Sequence, residues 1–194
     1  MTKGRLEAFS DGVIAILITI MVLELKVPHG ADWAALRPLG PVFLSYVLSF
    51  VFVGIYWNNH HHLLHAATKA TAGVMWANMH LLFWLSLVPF ATGWMGENHA
   101  AALPVALYGV VLMGSAVAYT ILALTIVHAD GESSRLKAAM GSDVKGKLSL
   151  ACYATAIPLA FVVRWLSVAI YVAVALIWLI PDRRIERELH RDPA

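Results

Sequence analysis

Long apolar runs alternate with short polar clusters along this chain, and the runs have the length a bilayer demands. A hydrocarbon core of about 30 Å takes about 20 apolar residues as a helix. Apolar residues fill the stretches around Val13–Leu23, Pro41–Trp57, Gly73–Trp94, Leu103–Val127, Leu148–Val163 and Leu166–Ile180. Backbone groups in lipid have no water to bond, so such runs fold as helices. The pattern predicts an all-α polytopic membrane protein: one domain over residues 1–194, with spans at about 6–27, 41–62, 72–95, 103–128, 147–163 and 165–181.

The last two runs are separated only by Arg164 and Trp165. One helix of about 33 residues would be about 50 Å long, well beyond the bilayer core. It would also put Arg164 mid-membrane, at a cost of at least about 2.5 kcal/mol. Two short helices hinged at Arg164-Trp165 avoid both problems. Pro89 lies inside the third run and predicts a kink there, because proline lacks the N–H that helix bonding needs.

Composition agrees with the pattern. Hydrophobic residues make up 60% and charged residues 13%, against about 25% charged in soluble domains. This excludes an ordinary soluble enzyme. A net charge of +2 without a basic patch gives no reason to expect a nucleic-acid partner. The single cysteine, Cys152, cannot form an intrachain disulfide and reads as a packing residue.

The cations set the orientation. With six spans, Lys3, Arg5, Lys69, Arg135, Lys137, Lys145, Lys147, Arg183, Arg184, Arg187 and Arg191 fall on one side. Lys26, Arg37 and Arg164 fall on the other. The positive-inside rule therefore places both termini in the cytoplasm. Lys3 and Arg5 before a short apolar run also resemble a signal peptide. Asp11 within the run, and Glu24-Leu25-Lys26 after it, argue for a retained helix.

Polar groups inside spans are the functional candidates, because burying them is costly. On the first helix Ile16, Thr19, Ile20 and Leu23 share one face, with Asp11 roughly opposite. Ordinary helix packing explains such a stripe, and so does a pore lining. In the second case rings of Ile16, Ile20 and Leu23 from several copies would form a constriction that gates by dewetting. A second concentration is Tyr56-Trp57-Asn58-Asn59-His60-His61-His62-Leu63-Leu64-His65. His61 and His65, four residues apart, suit a shared metal or haem face, hydrogen bonding at the membrane surface, or proton sensing. Asn78 and His80 can cross-link helices by hydrogen bonds. No potassium-filter motif, phosphate-binding loop, nucleophile elbow, paired intramembrane carboxylates or internal repeat stands out.

Arg5-x-x-x-Phe9-Ser10-Asp11 at the start of the first span resembles the R-x-x-x-F-S-D signature of the transmembrane-protein-175 family. These are potassium channels of endosomes and lysosomes with bacterial homologues. Residues 16–28, the Trp57-x-x-His-His region and Asn78 through Pro89-Phe90 resemble its bacterial members. The resemblance implies a homotetramer of six-helix subunits with a central pore lined by the first helix. Transferred to this chain, the lining residues are Ile16, Thr19, Ile20 and Leu23. Arg5, Phe9, Ser10, Asp11 and Asn78 become structural supports, with Trp57 and one or more of His60, His61 and His62 as partners.

The expected activity is passive, potassium-preferring cation conduction across a bacterial inner membrane. Its partners would be the lipid bilayer, the permeant potassium ion and further copies of the chain, with no metal or other cofactor. The rivals are a proton-coupled transporter and a haem- or quinone-binding membrane protein, both suggested by the histidines. A membrane-embedded enzyme ranks last, since no nucleophile and base pair stands out.

Overall fold

The computed structural model describes residues 2–131, 134, 136–137 and 143–179. Every regular element among the described residues is helical. Arg135 and the cationic segment 183–191, used above for orientation, lie outside them.

α1 runs Lys3–Met21 and tightens into a 3-10 turn at Val22–Glu24. A short helix, α2 (Trp33–Leu36), follows, capped by Asp32, whose Oδ1 accepts the Ala35 N–H at 3.0 Å. α3 (Gly40–Ala66) carries Pro41 in its first turn, where a missing N–H costs nothing. α4 (Ala72–Ser86) starts on Thr71, whose hydroxyl accepts the Val74 N–H. α5 spans Val88–Glu97 and α6 Ala102–Asp130. The last helical run, α7, covers Val144–Leu179.

The third apolar run is thus broken at Leu87, with Pro89 in the first turn of α5. A proline ring collides with the carbonyl four residues back, so the chain restarts a helix there. α6 ends on Gly131, at φ +67°, a left-handed backbone that glycine adopts without strain.

Among the described residues, five helical stretches are long and apolar enough to cross a membrane: Lys3–Glu24, Trp33–Ala66, Ala72–Glu97, Ala102–Asp130 and Val144–Leu179. The last is not straight. Val163 leaves helical geometry, at φ −139° and ψ 77°. Ser167 Oγ then donates to the Ala156 carbonyl at 2.8 Å, and Trp178 Nε1 to Ser149 Oγ at 2.8 Å. Tyr153 and Tyr171 bring their rings within 6.2 Å. These pairings centre on residues 161–164, beside the break at Val163, so 144–162 and 164–179 form an antiparallel hairpin. The turn sits one residue before Arg164, where the cost of a buried guanidinium predicted it.

α6 is the centre of the subunit, packed against α4, α5 and α7. α1 lies to one side, against α3, α4 and α5. Between the helices a polar layer ties the core together: Thr92 Oγ1 donates to Ser49 Oγ at 2.6 Å, and Ser49 shares a 2.9 Å bond with the Tyr108 hydroxyl.

Candidate pore face and its support

α1 has two faces. Leu6, Ser10, Ile14, Leu17 and Met21 are buried in the subunit. They recur every three or four residues, which keeps them on one side of the helix. Ile14 and Leu23 lie nine positions apart, half a turn out of phase. Accordingly Ile16, Thr19, Ile20 and Leu23 are all exposed, Leu23 at 76%. The four sequence-derived lining residues share one open face, and nothing in the subunit covers it.

Thr19 is the polar member of that face. Its hydroxyl reaches back to the Ala15 carbonyl at 3.1 Å and the Ile16 carbonyl at 2.9 Å. The proton is engaged by the helix, so the oxygen lone pairs are what the open face presents.

The buried face is tied down at its cytoplasm-predicted end. Ser10 Oγ donates to the Leu6 carbonyl at 2.8 Å and accepts from Asn78 Nδ2 at 2.9 Å. Asn78 Oδ1 takes a 2.7 Å bond from His60 Nε2. An amide oxygen only accepts, so Nε2 of His60 must carry the proton. All three side chains are essentially inaccessible to solvent. The triangle joins α1, α3 and α4, and it singles out His60 from the three consecutive histidines.

Asp11 lies on the flank of α1 and accepts from Trp57 Nε1 at 3.1 Å. Phe9 is 48% exposed, and Arg5 is exposed with no ion pair among the described residues. The signature therefore splits into Ser10 and Asp11, bonded within the subunit, and Arg5 and Phe9, which point out of it.

His61 and His65 do share a face, with rings stacked 6.1 Å apart, and His61 also lies 6.5 Å from Trp57. His62 meets His61 edge-on at 5.6 Å. Among the described residues no three histidine, cysteine or acidic side chains gather as metal ligands would. His80 accepts from Trp84 Nε1 at 3.0 Å.

Sequence reasoning missed several contacts. Glu7 is half-buried, with Oε1 buried and without a hydrogen-bond partner. Its signal was an acid one turn before Asp11. Lys3 Nζ donates to the His65 carbonyl at 2.6 Å, pinning the start of α1 to the end of α3. At the other end, Lys26 and Glu97 form an exposed ion pair at 2.6 Å. That contact holds the Lys26 ammonium above the ordinary lysine pKa, first by its hydrogen bond and then by the carboxylate charge.

Residues 5–89, which hold α1, the histidine run and Asn78, match the family described as endosomal/lysosomal potassium channel TMEM175. A potassium channel of Chryseobacterium sp. (strain P1-3) is 57% identical over 189 residues, covering 97% of this chain and 98% of that one. A crystal structure of a lysosomal potassium-selective channel TMEM175 homolog from Chamaesiphon minutus superposes with a TM-score of 0.80 at 27% identity, over 93% of this chain and 97% of that one. A relative from Gallus gallus, named an endosomal/lysosomal proton channel TMEM175, is 38% identical over 103 residues, 47% of this chain and 21% of its own length. With its helical fold shared nearly end to end and its signature residues at the head of the first span, this chain belongs to the TMEM175 family of potassium channels.

Proposed function

We propose that the protein is a potassium-preferring cation channel, built from four copies around a central pore that α1 lines. Each arm of α7 crosses the membrane, giving six spans per subunit. Both termini lie in the cytoplasm, and the membrane is a bacterial inner membrane. The observation that carries this reading is the open face of α1. A single helix cannot enclose a pore, and a closed ring of identical subunits is the usual solution.

Ile16, Ile20 and Leu23 then form successive apolar rings spanning about 10 Å along the axis. Such a stretch blocks ions by excluding water and conducts when it wets. Thr19, between them, offers four hydroxyl oxygens as partial substitutes for lost hydration. Potassium sheds water at lower cost than sodium, so a ring of weak oxygen ligands favours potassium modestly. Ser10, Asn78 and His60 hold α1 in register from behind, and Asp11 with Trp57 fixes its flank.

The test is ion flux from liposomes containing the purified protein, comparing potassium with sodium gradients. Potassium flux that follows voltage without a proton gradient supports the channel. Saturable flux only under a proton gradient would replace it with a coupled transporter.

A further inference from the structure

We propose that a cavity between α3, α6 and the two arms of α7 binds a small primary ammonium group. It lies inside the subunit, away from α1, and stands whether or not α1 lines a pore. Its walls include Tyr56 and Asn59 on α3, Tyr119 on α6, Tyr153 and Trp178 on the two arms of α7, and Asp143 at the entrance to α7. The volume is about 50 Å³, enough for three or four water-sized groups at about 10–15 Å³ each.

The chemistry of the wall is one-sided. Asn59 gives one of its two Nδ2 protons to the Ile55 carbonyl at 2.8 Å, and its Oδ1 is an acceptor. Thr120 donates to the Ala116 carbonyl at 2.9 Å, and Ser149 donates to the Lys145 carbonyl at 2.8 Å. Trp178 spends its indole N–H on Ser149. Asp143 caps α7 by accepting the Gly146 N–H on Oδ1 at 3.1 Å. No described residue supplies a partner for its other oxygen. Among the described residues, no lysine, arginine or histidine lines the cavity.

The site therefore presents one carboxylate, further oxygen acceptors and five aromatic rings, while the Thr120 and Ser149 hydroxyls, the Tyr119 hydroxyl and the Trp178 indole N–H are committed to protein acceptors. An ammonium group is the complement: three donors, no acceptor, and a positive charge that aromatic faces attract. Trp178 already receives such a group, since Lys145 Nζ lies 5.9 Å from its ring centroid. The volume admits an ammonium head with a stem of one or two carbons. Ethanolamine has that chemistry, as a free amine or as the headgroup of a phospholipid.

The experiment uses the purified full-length protein in detergent, with ethanolamine as probe and saturation-transfer NMR as readout, at constant potassium chloride. Saturable binding is expected. Asp143→Asn retains the helix cap, because asparagine caps as well as aspartate. It should weaken binding at least about tenfold, the value of a charge-assisted hydrogen bond. Tyr119→Leu keeps the carboxylate and removes one ring, and should weaken binding about threefold to thirtyfold. Wild-type binding that potassium chloride displaces at equal concentration would overturn the proposal in favour of a bare cation site. Unchanged affinity in both variants would also overturn it. Native mass spectrometry from bilayers containing phosphatidylethanolamine or phosphatidylcholine separates the sources. Retention of phosphatidylethanolamine alone, lost on adding free ethanolamine, supports the headgroup. No lipid retention beside saturable free ethanolamine supports the free amine.

Discussion

The two faces of α1 are made of the same kinds of residue and have opposite fates. Ile14 and Ile16 differ by two positions, yet Ile14 is wholly buried and Ile16 is 56% exposed. Ser10 and Thr19 are both hydroxyls. Ser10 is locked between Leu6 and Asn78, whereas Thr19 bonds only its own helix. Hydrophobicity therefore does not distinguish the packed face from the open one on this helix. Partnership does: one face is satisfied by α3, α4 and α5, and the other is left uncovered by the described residues of this chain.

The largest expected effect comes from breaking the satisfied face. Asn78→Leu leaves the His60 N–H without an acceptor and Ser10 without a donor in a closed site. An orphaned buried polar group costs about 1–3 kcal/mol. Two such losses approach the whole stability of many domains. We expect little folded protein on size-exclusion chromatography. A well-folded Asn78→Leu with an unchanged unfolding midpoint would show that the triangle is dispensable.

Ile14→Ala against Ile16→Ala sharpens the contrast directly. Large-to-small changes in a packed core cost about 2–5 kcal/mol in water-soluble proteins. In lipid, where the unfolded reference is also apolar, the lower end applies. Ile14→Ala should lower the thermal midpoint by several degrees. Ile16→Ala should leave it nearly unchanged and raise potassium flux instead. Ile16→Asn and Leu23→Asn should raise leak further and loosen selectivity. Unchanged currents in both asparagine variants would remove this face from the pore.

Asp11 and Thr19 give intermediate effects. Asp11→Asn keeps an acceptor for Trp57 but loses the charge assistance, about 1 kcal/mol. Folded assembly should fall more than selectivity changes, and normal assembly with altered selectivity would refute the supporting role. Thr19→Val preserves shape and removes the oxygen. It should lower the potassium-to-sodium ratio while leaving stability alone, and Thr19→Ser should restore the ratio.

Much of this comparison was legible in the sequence, for identifiable reasons. The cost of burying Arg164 placed the turn within one residue of Val163, because desolvating a guanidinium outweighs helix continuity. Pro89 announced the break at Leu87 through its missing N–H. Helical periodicity put Ile16, Thr19, Ile20 and Leu23 together, since a rotation of 100° per residue needs no tertiary information. What was not legible depends on registration between helices. Nothing in His60-His61-His62 says which ring faces Asn78; that follows from how far α3 slides against α4. The short α2, Trp33–Leu36, escaped notice because four residues are too few to show a helical period, and the Glu7 carboxylate because a single acid carries no periodic signal.

The smallest effect lies beyond the far end of α1, where the Lys26–Glu97 pair is exposed on both sides, at 76% and 46%. Solvent and salt screen such a pair strongly. Its folded state holds the Lys26 proton more tightly than the unfolded chain does. The stabilisation is therefore complete below the unfolded lysine pKa, and it fades as pH rises through the higher folded value. Glu97→Gln should leave flux and assembly at neutral pH almost untouched, with a small drop in thermal midpoint that vanishes in high salt and at strongly alkaline pH. A difference between wild type and Glu97→Gln that persisted above the folded lysine pKa would mean that Glu97 acts through packing against α1 instead of through its charge.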